Sequence, residues 1–205
     1  DMDRMQQPPP GTVPVRPDTA DLFPDVVKGM HLDMSADDLK SLRPKAEAGE
    51  AGEPDEETPI VYSERELSGG DFSREGWFTG MYTVYRGKLI QGAFTAFAGT
   101  EKLRAELWQK YSAVFGPPSR HRFEPDWAQP GVLKGSTVEW SGNGVEVILI
   151  SRLVPGIQGM MRGLELRIRL AGFDSLLENA GQFQDKNAAG SQSDSQLKKD
   201  FPELT

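Results

Sequence analysis

The chain has 205 residues, a formal net charge of −8, no cysteine, and 37 % hydrophobic residues alongside 22 Gly and 15 Pro. The lack of cysteine excludes disulfides, thiolate chemistry and Cys-based zinc sites, and no apolar run approaches the ~20 residues that cross a bilayer as a helix. Charge is divided unevenly: residues 1–59 carry net −8, residues 60–170 net +3 and residues 171–205 net −3. That distribution offers no concentrated positive face and argues against nucleic acid as the main partner.

The modest apolar share implies that part of the chain lies outside a packed core. Residues 1–20 hold five prolines before Asp18 and read as a flexible leader. The first ten residues carry no secretory h-region. They read either as a native start or as what remains after a signal is removed. A helical turn is expected at Asp21–Pro24. Ser35 is then placed to cap a short helix, with Asp38 three residues on to close a capping box and Met34 and Leu39 to form a hydrophobic staple. Pro44 ends that helix. Residues 45–59 are acidic and rich in Gly, Ala and Pro, so a mobile loop is expected there.

Strands follow. One opens at Ile60-Val61-Tyr62, and Phe78–Tyr85 and Lys88–Phe97 read as a hairpin turning at Arg86-Gly87. Alternation puts Phe78, Tyr82 and Val84 on one face of the first arm and Leu89, Ala93 and Phe97 on one face of the second. Thr100 is expected to cap a second helix with a Leu103, Leu107, Tyr111, Phe115 stripe. It ends at Gly116-Pro117-Pro118. A short strand over Thr137–Trp140, a Gly142-Asn143-Gly144 turn and a strand over Val145–Ile150 come next. Leu164, Leu166, Ile168 and Leu170 alternate with Glu165, Arg167 and Arg169, the cleanest half-buried strand in the chain. Residues 171–205 form a polar tail with room for one helical turn at Phe173–Leu177. The expected fold is α+β: short helices packed on one face of an antiparallel sheet, in a single core over 21–170. The helix-then-strands order recurs over 29–97 and 100–170, which suggests two tandem repeats.

No pattern of catalytic residues emerges. His31 and His121 are the only histidines, with His121 expected in a loop between Arg120 and Arg122, and no Gly-x-Ser-x-Gly turn is present. Glu64, Glu66, Glu139 and Glu146 lie in or beside strands and read as outward, solvated positions. Asp37 and Asp38 suit a helix N-terminus. Phosphate loops and metal-ligand spacings are absent from the sequence, so no cofactor, metal or catalytic residue is expected. The segment 152–163 is unusual: it is expected to be a loop, yet it carries Leu153, Val154, Ile157, Met160 and Met161. Apolar residues on a loop either fold over the sheet edge or form an adaptable binding surface. Trp108 and Trp140 read as core. Trp127 reads as the exposed tryptophan, and Arg167 and Arg169 as the outer side of the last strand. The candidates for protein binding are therefore Trp127, Leu153, Ile157, Met160, Met161, Arg167 and Arg169.

The pattern Gly29-x-x-Leu32-x-Met34-Ser35-x-x-x-Leu39, the helix end Phe115-Gly116-Pro117-Pro118, and Thr137-Val138-Glu139-Trp140 before two strands resemble the SmpA/OmlA (BamE-like) envelope lipoproteins. They also resemble the tandem repeats of β-lactamase inhibitor protein. The likeness spans about residues 25–170. These families have Gly before the Met, where this chain has Asp33. The resemblance implies short helices against an antiparallel sheet and a role in binding other proteins, without enzymatic activity. It implies a periplasmic or outer-membrane-associated location, with an envelope protein as partner. Contact with a membrane would come only through an N-terminal lipid anchor upstream of Asp1, and residues 1–20 would act as the spacer. The rival expectations are a cytoplasmic protein, a small apolar-ligand carrier with Phe78, Tyr82, Phe94 and Phe97 around a cavity, and a hydrolase using His31 or His121.

Overall fold

The computed structural model describes residues 19–49, 58–69, 75–125, 133–156 and 159–178. Two 3₁₀ turns, Thr19–Leu22 and Asp25–Val27, precede α1 (Ala36–Leu42). Strands β1 (Glu47–Ala48), β2 (Ile60–Arg65), β3 (Thr79–Tyr85) and β4 (Lys88–Ala96) follow, then α2 (Thr100–Phe115). The chain returns through β5 (Arg120–Pro125), β6 (Leu133–Gly142), β7 (Val145–Gly156) and β8 (Gly159–Leu170), and residues 173–178 are helical. All strands join one antiparallel sheet in the order β1-β2-β3-β4-β8-β7-β6-β5. The chain is therefore mixed α/β and dominated by its sheet.

The local chemistry of α1 matches its sequence. The Ser35 hydroxyl oxygen accepts from the Asp38 N–H at 3.1 Å and donates to the Asp38 carboxylate at 2.6 Å, which satisfies one of the free N–H groups of the first turn. Met34 and Leu39 are both buried. Asp33, just before them, adopts φ 66°, a left-handed conformation that Gly takes freely and Asp tolerates better than most residues. Its N–H donates to Leu89 O, and Leu89 N–H donates to Met34 O, so the start of α1 is stitched to the start of β4. At α2 the cap is Gly99, at φ 65°, with Thr100 the first helical residue rather than the cap. Gly116 closes α2 at φ 82°, where a Cβ would be strained.

A period of two sorts each strand into two faces. Register aligns one row across six strands: Tyr62, Tyr82, Gly92, Ile168, Val147 and Trp140. All but Gly92 are buried apolar or aromatic side chains. Gly92 leaves room for the Phe23 ring, whose Cε1 would lie 2.6 Å from a Cβ there. Phe23 then meets Phe94 edge-on at 6.0 Å. Onto the same inner face α2 brings Trp108 and Tyr111, at 5.5 and 5.7 Å from Trp140. The Tyr111 hydroxyl donates to Leu22 O at 2.7 Å and Lys110 donates to Phe23 O at 3.2 Å, which ties α2 to the 3₁₀ turns.

Several expectations need correction. The register between β3 and β4 shifts between Thr83 and Val84. The extra residue, Ile90, reverses the parity of β4, so Leu89 shares the inner face with Phe94, while Ala93 faces outward. Residues 45–59 are not all loop: Glu47–Ala48 pair with Tyr62 and Ser63 as β1, and residues 50–57 lie outside the described residues. Residues 120–125 form a strand, not a loop, and β6 starts at Leu133, well before Thr137. Among the described residues, buried side chains run from Thr19 to Phe173. The rest of the expected leader (residues 1–18) and of the tail (179–205) lies outside the described residues.

Candidate functional site

The segment 152–163 is a hairpin rather than a loop. β7 runs to Gly156 and β8 begins at Gly159, each extending the predicted strand by several residues. β6 accompanies β7 only as far as Arg152, and β4 meets β8 only from Leu164 onward. Beyond those points, among the described residues, Leu153–Gly156 and Gly159–Arg162 pair only with one another. The result is a two-stranded arm projecting roughly 13 Å at ~3.3 Å per residue. A lone two-stranded ribbon is marginal in water.

Leu153 and Met161 are both half-buried, but register places them on opposite sides of the arm. Leu153 pairs with Arg162, and Met161 pairs with Val154. Arg162 fixes the root of the arm: it donates to Ser151 Oγ at 3.2 Å and approaches Glu101 of α2 at 3.4 Å. On the other side an apolar strip continues from Met161 and Val154 to Phe97. A Cβ at Gly163 would touch both Val154 and Phe97, at 3.5 and 3.6 Å. Phe97 in turn meets Phe78 at 6.0 Å. Met160 belongs to β8, opposite Pro155. Ile157 and Trp127 lie outside the described residues.

The outer face of the sheet differs in kind. Its central row reads Ser63, Met81, Ala93, Arg167, Ile148, Glu139 and Arg120. Met81 and Val61 are each 41 % exposed. Arg167 pairs with Glu165 at 2.5 Å, and Arg120 with Glu139 at 3.4 Å. Arg169 is well enclosed, its side chain only 11 % exposed. It bonds Glu146 at 2.9 Å and Asp174 twice at 2.9 Å, and lies 5.3 Å from the Phe173 ring. An open cleft of about 540 Å³ lies between β5, β6 and this cluster, lined by Arg120, Arg122, Glu139, Glu146, Arg169 and Asp174 among others. Long arginine stems shield small apolar neighbours such as Ala93 and Ile148 while their charged ends stay at the surface. Both arginines are engaged within the chain, Arg167 the more exposed of the two.

One charged cluster is on the inner face. Glu64 is only 6 % exposed, against the expectation of a solvated carboxylate. Parity explains it: Glu64 is two residues after inward Tyr62 and pairs with Gly80. Gly80 has no side chain, and the Tyr82 ring fills the space beside it. The Tyr82 hydroxyl donates to Glu64 Oε1, and Arg43 Nε donates to the same oxygen at 2.7 Å. Burial, followed by the hydrogen bond and charge of Glu64, pushes the Tyr82 hydroxyl well above the ordinary tyrosine range. Burial works downward on Arg43, but its hydrogen bond and attraction to Glu64 prevail and raise it. A cleft of about 400 Å³ opens beside the cluster, between Leu42–Lys45 and Glu64–Leu67. Every group of the cluster is used in bonding to the others, which suits a buried ionic staple better than a reacting site.

The remaining sequence candidates are dispersed. His31 Nδ1 lies 2.9 Å from Leu32 O. His121 stacks between Trp108 at 5.6 Å and Phe123 at 4.2 Å. Tyr82 and Phe94 meet at 6.1 Å on the inner face, and Phe78 meets Phe97 at 6.0 Å. Among the described residues no group of three or more His, Asp or Glu could hold a metal ion, and no helix is long and apolar enough to cross a membrane. Comparison with family models, curated proteins and solved structures returns no match.

Proposed function

We propose that this chain is a non-enzymatic protein-binding module of the cell envelope, engaging another protein through the β7–β8 arm and the outer sheet face. In this reading the chain comprises two tandem units, each a short helix on the inner face followed by four strands, joined where β4 pairs with β8. The arm is the observation that carries the proposal. It places Leu153, Val154 and Met161 beyond both neighbouring strands, and exposed or half-covered apolar surface of this kind marks recognition sites in folded proteins. The left-handed Asp33 at the start of α1 lends support to the family resemblance, because it stands where those families have Gly. The envelope location and the N-terminal anchor rest on that resemblance.

The experiment is crosslinking capture from the native host. It compares the parent chain with a variant carrying Leu153→Ser, Ile157→Ser, Met160→Ser and Met161→Ser. The expected result is capture of one envelope protein by the parent, lost in a variant that still folds. Equal capture by both would remove the arm from the interface, and no specific capture by the parent would refute the module.

A further inference from the structure

We propose that β5 is a second docking edge, taking an extended segment of a partner protein whose side chains are acidic on one side and apolar on the other. The inference rests on the protein-binding reading and supplies the chemistry of a partner. β5 is the last strand of the sheet, and among the described residues β6 is its only neighbour. Arg120, His121, Arg122 and Phe123 are all exposed. An antiparallel edge strand directs half its N–H and C=O groups away from the sheet, and an added strand satisfies them in register.

The other edge of the sheet is built differently. There the two-residue β1 covers part of β2, and Gly49 N–H extends the cover by donating to Val61 O.

Alternation along β5 sets what an added strand would meet. On the outer side stand Arg120, 55 % exposed at its side chain and 3.4 Å from Glu139, and Arg122, which has no ionic partner among the described residues. Glu124, the next on that side, is taken up by Arg152 at 3.5 Å. On the inner side Phe123, 56 % exposed, continues a ladder of rings through His121 and Trp108 to Trp140. A strand laid beside β5 would place alternate side chains against Arg122 and against Phe123. Acids fit the first and apolar groups the second. A second copy of this chain fits poorly, because two antiparallel β5 strands would bring the Arg120–Arg122 stretches of both copies together.

The test is selection of random peptides on the intact chain, followed by affinity measurements on the winners. The measurements use Arg122→Glu, Phe123→Ser and a Leu153→Ser/Met161→Ser arm variant, each checked for unchanged melting. The expected winners alternate Asp or Glu with apolar residues. Their affinity falls about tenfold or more with Arg122→Glu, the scale of one charge-assisted contact. It falls again when alternate backbone N–H groups are methylated, and it is unaffected by the arm variant. Winners without that alternation, no winners at all, or winners indifferent to Arg122→Glu or to methylation would overturn the docking edge. Binding lost only in the arm variant would also overturn it, while leaving the protein-binding reading in place.

Discussion

A step of one residue along β4 or β8 passes from one environment to its opposite. Phe94, Leu166 and Ile168 face a core of aromatic and aliphatic side chains, tied by α2 to the 3₁₀ turns. Ala93, Arg167 and Arg169 face a surface of paired charges. The inner face gains its stability from apolar burial, worth about 25 cal/mol per Å². The outer face contributes little, because exposed ion pairs are worth about 0–1 kcal/mol each. What the outer face and arm offer instead is chemical variety: apolar arm residues, half-covered methionines and arginines within reach of a partner. The inner side of these strands thus carries the stability, and the proposed recognition draws on the outer side and on the arm.

Substitutions on the inner face should cost the most. Trp140→Ala removes the ring that joins Trp108 and Tyr111 to the sheet. A loss of about 3–5 kcal/mol is expected from urea unfolding. Arg43→Met leaves the Glu64 carboxylate buried with only Tyr82 to hold it. The expected loss is about 3 kcal/mol, and the double variant Arg43→Met/Glu64→Leu should recover most of it, because both charges are then gone. No recovery would show that the cluster is worth more than the cost of burying it. Gly92→Ala drives a methyl into Phe23, with an expected loss of about 1–3 kcal/mol.

Alkaline pH offers a further probe of the inner face. Tyr82 and Tyr111 are both held above the ordinary value of 10.0, Tyr111 by burial alone. Above that pH the unfolded chain loses protons that the folded chain keeps, so stability present below pH 10.0 declines as pH rises further. The decline is on the order of 1 kcal/mol per pH unit for each tyrosine. Denaturant melts across this range should show a shallower decline in Tyr111→Phe. On the outer face, Arg167→Ala is expected to change stability by less than about 0.5 kcal/mol. A loss comparable to that of Gly92→Ala would erase the contrast between the faces.

The core was legible where apolar spacing repeated. The strand Leu164–Leu170, the Leu107–Tyr111 stripe and the Ser35 cap all follow from local pattern. Glu64 reads as solvated in the sequence, although its spacing from Tyr62 carries the signal of burial. The partner that lowers its cost, Arg43, is 21 residues away, and no local rule joins them. β5 was missed because Arg-His-Arg lacks the apolar alternation of a half-buried strand; its place depends on pairing with β6. In the sequence the arm reads as an apolar anomaly within a loop, since nothing there shows where neighbouring strands stop. The Ile90 bulge defeated the face assignment of β4 for the same reason: parity counts forward correctly only while the register holds.

The most direct test of the division between faces is a photo-crosslinking scan in the native host. A photoreactive residue would replace, one at a time, Leu153 and Met161 on the arm, Val61 and Met81 on the outer face, and Val114 on the exposed side of α2. Crosslinks to one common protein from the arm and the outer face, with none from Val114, are the predicted result. Crosslinks to that protein from Val114 but not from the arm would place recognition on the helical side and contradict the account.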